Sequence, residues 1–159
     1  MQRKVALQDI TGFIGKKVGV SQWRLVTQDM INQFACATDD HQWIHVDEEK
    51  AKNTPFKGTI AHGFLTLSLL SALAHEALPE LEGATMGINY GFDKVRFISP
   101  VKAGARVRAH FVLDDAKVRP SGRVIFHYQV TVEIDQLKNP ALTAHWIIIT
   151  AIEGEKLGN

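Results

Sequence analysis

The chain has 159 residues, of which 45% are hydrophobic and 22% are charged, and its formal net charge is +1. These values are typical of one globular domain over residues 1–159, large enough to build its own hydrophobic core. A nearly neutral chain lacks the broad basic surface that nucleic-acid-binding proteins carry, so no nucleic-acid partner is expected.

The single cysteine, Cys36, excludes an internal disulfide. Residues 1–9 lack the apolar core of a secretory signal, and no run of about 20 apolar residues is present to span a membrane. We therefore expect a cytoplasmic protein that does not associate with membranes. Cys36 falls in a predicted helix, where we expect it to be a small buried residue rather than a nucleophile.

The first third of the chain predicts one short strand and two helices. Residues 18–26 are rich in strand-forming residues. Thr27 is placed to cap a helix over residues 28–37, and the polar residues that follow end it. Asp47 is placed to cap a second, short helix over residues 48–52.

A longer helix is predicted over residues 64–77. Its apolar residues cover nearly every direction around the helix axis: Phe64, Leu65, Leu67, Leu69, Leu70, Leu73, Ala74 and Ala77. A helix that is apolar all round but too short to span a membrane belongs in a protein core.

Everything after this helix predicts strands. Two short alternating stretches, three longer strands and two turns follow in the order 85–90, 94–98, 106–113, 120–122, 124–134, 138–140 and 143–152. Long strands joined by short turns are antiparallel neighbours. The economical architecture is an α+β fold in which an antiparallel sheet wraps around the apolar helix, which is the hot-dog arrangement.

The segment 38–47 carries the strongest functional signal. It places Asp40 and His45 five residues apart, and a carboxylate and an imidazole that reach one water form a general acid–base pair. Gly63 directly precedes the apolar helix, and a backbone N–H at a helix start can hold a developing oxyanion. Together these groups predict chemistry beside a carbonyl group.

The same segment, read as Thr-Asp-Asp-His-Gln-Trp-Ile-His-Val-Asp, resembles without a gap the motif of the MaoC-like hydratases and dehydratases. This family includes (R)-specific enoyl-CoA hydratases. The match puts Asp40 and His45 at the catalytic Asp and His positions. Gln42 and Trp43 stand where Asn and Pro are usual, and the sequence of this segment is similar to that of the nodulation-protein-N-like branch.

Further matches support the resemblance. Residues 61–63 followed by an apolar helix match a second family motif, and Ser71 matches a serine that helps to fix the catalytic groups in relatives. Residues 89–101 resemble the strand that leads into the sheet in that branch. Asp39 departs from the family, because glycine is usual there. Glycine often marks a positive φ, and aspartate is among the few residues that tolerate one.

The resemblance implies a hydro-lyase that adds water to trans-2-enoyl-CoA to give (R)-3-hydroxyacyl-CoA, or catalyses the reverse dehydration. It implies catalytic roles for Asp40, His45 and Gly63. The implied substrate-binding residues are Ser71, Gln42, His62 and Tyr90. It implies no metal and no separate cofactor, since coenzyme A enters as part of the acyl-CoA substrate. It also implies a homodimer, because relatives pair two units edge to edge.

Three alternatives remain beside this hypothesis. A hot-dog acyl-CoA thioesterase would release free thiol, and a non-catalytic acyl-thioester binding protein would bind acyl-CoA without changing it. A metal site must also be weighed, because His41 and His45 lie among Asp39, Asp40 and Asp47. Zinc, however, needs three or four ligands in a defined geometry.

Overall fold

The computed structural model describes residues 4–153, so the ends of the predicted domain lie outside the described residues. The elements run in chain order as β1 (Lys4–Val5), a 3-10 helix (Leu7–Phe13), β2 (Lys17–Val20), β3 (Arg24–Leu25), α1 (Gln28–Thr38), α2 (Trp43–Val46), α3 (Glu48–Ala51), α4 (Gly63–Ser68), α5 (Leu70–Ala77), β4 (Glu80–Leu81), β5 (Ala84–Phe97), β6 (Arg106–Val118), β7 (Val124–Ile134) and β8 (Leu142–Ile152).

One antiparallel sheet forms most of the molecule. Its strand order is β2-β6-β7-β8-β5, and β3 also pairs with β6. Along β6, buried residues such as Val107 and Phe111 alternate with half-buried ones such as Arg108 and His110. One face of the sheet is therefore the core face, as the period-two pattern of the sequence predicted.

The helices α4 and α5 pack on that core face. They are nearly continuous, because Leu69 between them keeps right-handed helical angles. Leu65, Leu70 and Leu73 are buried and join the inner side chains of the sheet in one core cluster. The predicted hot-dog arrangement is confirmed.

The prediction that this helix is buried all round is wrong. Phe64 is 66% exposed, and Ser71 and Glu76 are also exposed. The reason is geometric, because a sheet covers a helix from one side only. The apolar residues on the opposite side therefore lie on the surface of the single chain.

The edge strand β5 differs most from its prediction. The two short alternating stretches form one strand of 14 residues, interrupted by register shifts in its pairing with β8. Such irregularities break the period-two pattern, which explains why the sequence indicated two pieces. Several large apolar side chains of β5 are exposed, namely Met86, Ile88, Tyr90, Phe92 and Phe97.

Smaller differences occur near the N-terminal end. The predicted strand over residues 18–26 is two strands, β2 and β3. Between them the Ser21 N–H donates to the Ala109 carbonyl, but the Ala109 N–H donates to the Ser21 hydroxyl, so a side chain interrupts the backbone ladder. Cys36 is exposed rather than buried. Among residues 4–153, no helix combines the length and the apolar character that crossing a bilayer requires.

Candidate active site

The end of α1 positions Asp40. The Thr27 hydroxyl accepts the Met30 N–H at the start of the helix, as predicted. The helix stops where Asp39 adopts φ 57° and ψ 23°, in the left-handed region that aspartate tolerates better than most residues. The Asp40 N–H still bonds to the Ala35 carbonyl at 3.1 Å. Asp40 thus starts the next segment, with its carboxylate 54% exposed.

His45 lies in α2, a single helical turn at a place where the sequence predicted no helix. Its ring is buried, and its Nδ1 lies 2.6 Å from the Ile60 carbonyl oxygen. Because a carbonyl only accepts hydrogen bonds, Nδ1 carries the proton and Nε2 is left with a free lone pair. Burial lowers the pKa of His45 below its ordinary value of 6.5, and the nearby His62 lowers it further. His45 is therefore a neutral base near pH 7.

His62 joins the other two residues. Its Nε2 donates to the backbone carbonyl of Asp40 at 2.9 Å and lies 3.9 Å from an oxygen of the Asp40 carboxylate. Its ring stacks on His45 with the ring centres 3.8 Å apart. The Nδ1 atom of His62 is buried and has no hydrogen-bond partner among the described residues. His62 thus ties the Asp40 loop to the His45 ring.

The three side chains offer one nitrogen or oxygen atom each within 4.8 Å of one another. A water that makes two hydrogen bonds of about 2.8 Å at a tetrahedral angle joins atoms about 4.6 Å apart. The separation of Asp40 from His45 is therefore compatible with one water held between them.

Gly63 follows His62 and opens α4. The N–H groups of a first helical turn have no partner within the helix, so the Gly63 N–H is available to an outside acceptor. A Cβ at this position would lie 3.0 Å from the Phe97 ring. This close approach leaves room only for glycine unless Phe97 moves.

Of the remaining predicted site residues, Gln42 contacts the cluster, whereas Ser71 and Tyr90 lie apart from it. Ser71 accepts a hydrogen bond from the Asn89 side chain at 3.1 Å, and both residues line a cavity beside α5. Gln42 precedes α2, and its backbone N–H lies 3.4 Å from the Asp40 carboxylate. Tyr90 is 66% exposed on β5. The structure therefore brings Asp40, His45 and His62 together, and it places Ser71 and Tyr90 elsewhere.

The residues weighed as metal ligands do not gather as the sequence suggested. Asp47 caps α3 by accepting the Lys50 N–H, and His41 and Asp39 are exposed. Asp40, His45 and His62 are close enough to share an ion. However, the two rings are stacked with only 26° between their planes, so their in-plane lone pairs lie in nearly parallel planes. A tetrahedral zinc site needs lone pairs that converge on one point.

Sequence reasoning missed two contributors. Ile60 fixes the tautomer of His45 through its carbonyl group, and Asn89 holds the Ser71 hydroxyl. The Ile60 contact is a backbone interaction, which residue identity does not reveal. Asn89 lies within the stretch 89–101 that resembles the family. Its hydrogen bond to Ser71 depends on the folded structure and could not be predicted from the sequence.

Comparisons with known proteins agree with the geometry. Residues 9–134 match the family model described as the MaoC like domain. The chain is 51% identical to nodulation protein N of Rhizobium meliloti (strain 1021) over 147 residues, which cover 92% of this chain and 91% of that protein. It is 45% identical to 3-hydroxyacyl-thioester dehydratase Z of Mycobacterium tuberculosis (strain ATCC 25618 / H37Rv) over 143 residues, which cover 90% and 94% of the two chains.

Among solved structures, the unliganded R-hydratase of Pseudomonas aeruginosa superposes with a TM-score of 0.66 at 26% identity, covering 88% of this chain and 83% of that one. The family model spans most of the chain, and the relatives match over nearly their full length. The predicted resemblance is therefore confirmed, and this protein belongs to the MaoC-like dehydratase family, with nodulation protein N among its relatives.

Proposed function

We propose that this protein adds water to trans-2-enoyl-CoA to give (R)-3-hydroxyacyl-CoA, or catalyses the reverse dehydration. The observation that supports this proposal most directly is a short distance. A carboxylate oxygen of Asp40 and a ring nitrogen of His45 lie within 4.8 Å of each other, beside the first turn of α4. The names of two relatives, a 3-hydroxyacyl-thioester dehydratase and an (R)-specific enoyl-CoA hydratase, support this reaction class.

In the proposed mechanism, the water lies between the Asp40 carboxylate and Nε2 of His45. Nε2 takes a proton from the water, because Nδ1 is committed to the Ile60 carbonyl. The water oxygen bonds to the β-carbon, and the pair returns a proton to the α-carbon, so one water is added in total. A positioned group for proton transfer typically contributes about 10²–10⁴-fold to the rate.

Negative charge develops on the thioester oxygen as the β-carbon is attacked. The Gly63 N–H is the proposed donor to that oxygen, aided by the helical dipoles of α4 and α5. The Phe97 ring leaves no room for a Cβ at position 63, so glycine permits the close packing at this point. Losing one such donor typically costs about 10²–10³-fold in kcat.

We propose no metal and no separate cofactor. Coenzyme A enters as part of the substrate. The acyl chain is proposed to enter the cavity lined by Ser71 and Asn89, which has a volume of about 530 Å³. This volume is within the usual range for a small-molecule site of about 300–1,000 Å³.

We also propose that two copies of the chain associate through β5. An edge strand of 14 residues with exposed apolar side chains is a template for pairing with another chain. A two-fold axis would set β5 antiparallel to its counterpart and continue the sheet. A monomer by light scattering at micromolar concentration would contradict this.

The reaction is tested with crotonyl-CoA by following the loss of enoyl absorbance and the chirality of the product. We expect Asp40→Asn and His45→Gln each to lower kcat/KM by at least about 10²-fold while the fold, read by circular dichroism, is retained. Asp39→Asn is the matched control, because it removes the neighbouring exposed carboxylate from a position that asparagine also tolerates.

Two results would reject the proposal. Equal rates for the parent protein and both variants would show that Asp40 and His45 do not carry the chemistry. Release of free thiol from acyl-CoA, measured with a thiol dye in place of absorbance change, would indicate a thioesterase.

A further inference from the structure

The cavity beside α5 lies apart from the cluster formed by Asp40, His45 and His62. Ser71 and Ala74 line it from the helix, Tyr128 and Trp146 line it from the sheet, and Val5 contributes from the N-terminal segment. Most of the other lining side chains are apolar. Asp40, His45 and His62 are not among the lining residues, so the cavity is a separate compartment of the site.

The strand register shows which end of the cavity faces the catalytic cluster. Gly63 lies against Phe97, and Phe97 pairs with Leu142 at the start of β8. Four residues further along β8 is Trp146, which stands directly opposite Tyr128 of β7. At about 3.4 Å per residue, this pair lies roughly 13 Å along the strand from the level of Gly63. The cavity continues past it along β8 to Thr150.

Tyr128 brings a polar group into this apolar compartment. Its side chain is only 9% exposed, and burial raises its pKa, with no hydrogen bond contributing to the shift. The hydroxyl therefore stays protonated, and Tyr128 lines the cavity, where an occupant can reach this group. On the neighbouring strand β8, the indole N–H of Trp146 is buried without a hydrogen-bond partner in the described part of the chain.

A buried donor without an acceptor, such as the Trp146 indole N–H, is unusual in a folded protein. Leaving a buried polar group unpaired is destabilising, and buried Tyr and Trp normally find a partner. Phenylalanine at either position would line the cavity without that cost. The arrangement therefore favours an occupant that supplies an oxygen atom at this level of the cavity.

We propose that the cavity selects acyl chains that carry a hydroxyl or carbonyl oxygen in their distal part, with the Tyr128 hydroxyl as the donor and Trp146 as the second donor at the same level. This proposal rests on the proposed function, in which Gly63 holds the thioester. A saturated chain with C–C bonds of about 1.5 Å advances roughly 1.3 Å per carbon. A path of roughly 13 Å then corresponds to about ten carbons from the thioester.

The first experiment measures binding without turnover. Isothermal titration calorimetry compares dodecanoyl-CoA with its 8-, 10- and 12-hydroxy and 10-keto derivatives on the whole protein. We expect one or more oxygenated chains to bind roughly tenfold more tightly than the plain chain, the effect of one satisfied buried hydroxyl. Equal affinity for all of them would overturn the proposal, since it would mean that water satisfies Tyr128.

Tyr128→Phe locates the effect. The ratio of affinities between oxygenated and plain chains should fall to about one in this variant. Thr150→Val is the matched control, because it removes a hydroxyl from the far end of the same cavity and should keep the ratio. A ratio unchanged in Tyr128→Phe would contradict the assignment to Tyr128.

The second experiment repeats the comparison with the corresponding 2-enoyl-CoA substrates and reads kcat/KM. Hydration of all chains with no preference would leave the proposed function intact and reject selection by the cavity. Selective binding without any hydration would reject the proposed function and keep the selection. The two hypotheses therefore fail separately.

Discussion

The start of α4 and the open edge of the sheet differ in how their side chains are partnered. Near the start of α4, His45 and His62 are each fixed within one chain by a backbone carbonyl, that of Ile60 and that of Asp40 respectively. Along β5, by contrast, apolar side chains are exposed, and in the cavity the Trp146 indole N–H has no partner among the described residues. The proposed reacting groups are therefore positioned within the single chain, whereas the proposed interface and cavity need a second molecule to cover or fill them.

Among variants outside the proposed reacting pair, the largest expected effect comes from removing a contact that fixes this cluster. His62→Phe keeps a flat ring against His45 but removes the hydrogen bond to the Asp40 carbonyl. We expect kcat/KM with crotonyl-CoA to fall about 100-fold, because a misplacement of about 1 Å can cost 10²-fold. His145→Phe, at an exposed position of β8, is the control. Full activity in His62→Phe would mean that Asp40 needs no such anchor.

A charged residue introduced on β5 tests whether this strand pairs with a second copy of the chain. Tyr90→Glu changes a 66% exposed side chain, so the fold of the single chain should survive. We expect the dissociation constant of the homodimer, measured by analytical ultracentrifugation, to rise at least tenfold through repulsion and lost apolar burial. Leu137→Glu, another exposed apolar residue in the turn after β7, should leave the dimer unchanged. Equal effects from both variants would contradict an interface at β5.

The pH dependence tests the environment of His45. Its pKa lies below 6.5, so the neutral base persists at neutral pH, and kcat/KM should fall tenfold per pH unit only below that lowered pKa. His62→Phe should move this acid limb upward, because His62 helps to lower the pKa. A limb above pH 6.5 in the parent protein would contradict the burial argument.

The same shift has a consequence for stability. Between the folded pKa of His45 and 6.5, the unfolded chain binds more protons than the folded chain. The contribution of His45 to the free energy of unfolding is therefore complete above pH 6.5. It declines as the pH falls through this window and levels off below the folded pKa. Denaturant titrations of the parent and of His45→Gln at several pH values would measure it as a difference.

The smallest expected effect is at Asp39. Its φ of 57° is less costly for glycine than for aspartate, so Asp39→Gly should raise the free energy of unfolding by no more than about 1 kcal/mol. That gain corresponds to a rise in Tm of roughly 2–4 °C at most for a chain of this size. Asp39→Val should lower Tm instead. A lower Tm in Asp39→Gly would show that the carboxylate itself stabilises the loop.

Sequence patterns predicted the elements whose side-chain periodicity reflects one dominant interaction. The helix after Thr27 and the strand over residues 124–134 were predicted almost to the residue, because a capping hydroxyl and a clean alternation mark them. The helical turn at His45 and the long strand β5 were not, because short helices and irregular pairing leave no regular pattern. The family resemblance identified Asp40 and His45 as candidates but said nothing of the contacts that hold them.

The sequence alone therefore determined the order of the main helices and long strands, the hot-dog fold class and the chemical groups available for proton transfer, since each depends on residue type and local spacing. Tertiary structure decided which of those groups meet. It stacked His62 on His45, fixed the tautomer of His45 through the Ile60 carbonyl and set Tyr128 opposite Trp146. These contacts join residues distant along the chain, and their geometry depends on how the sheet and helices pack.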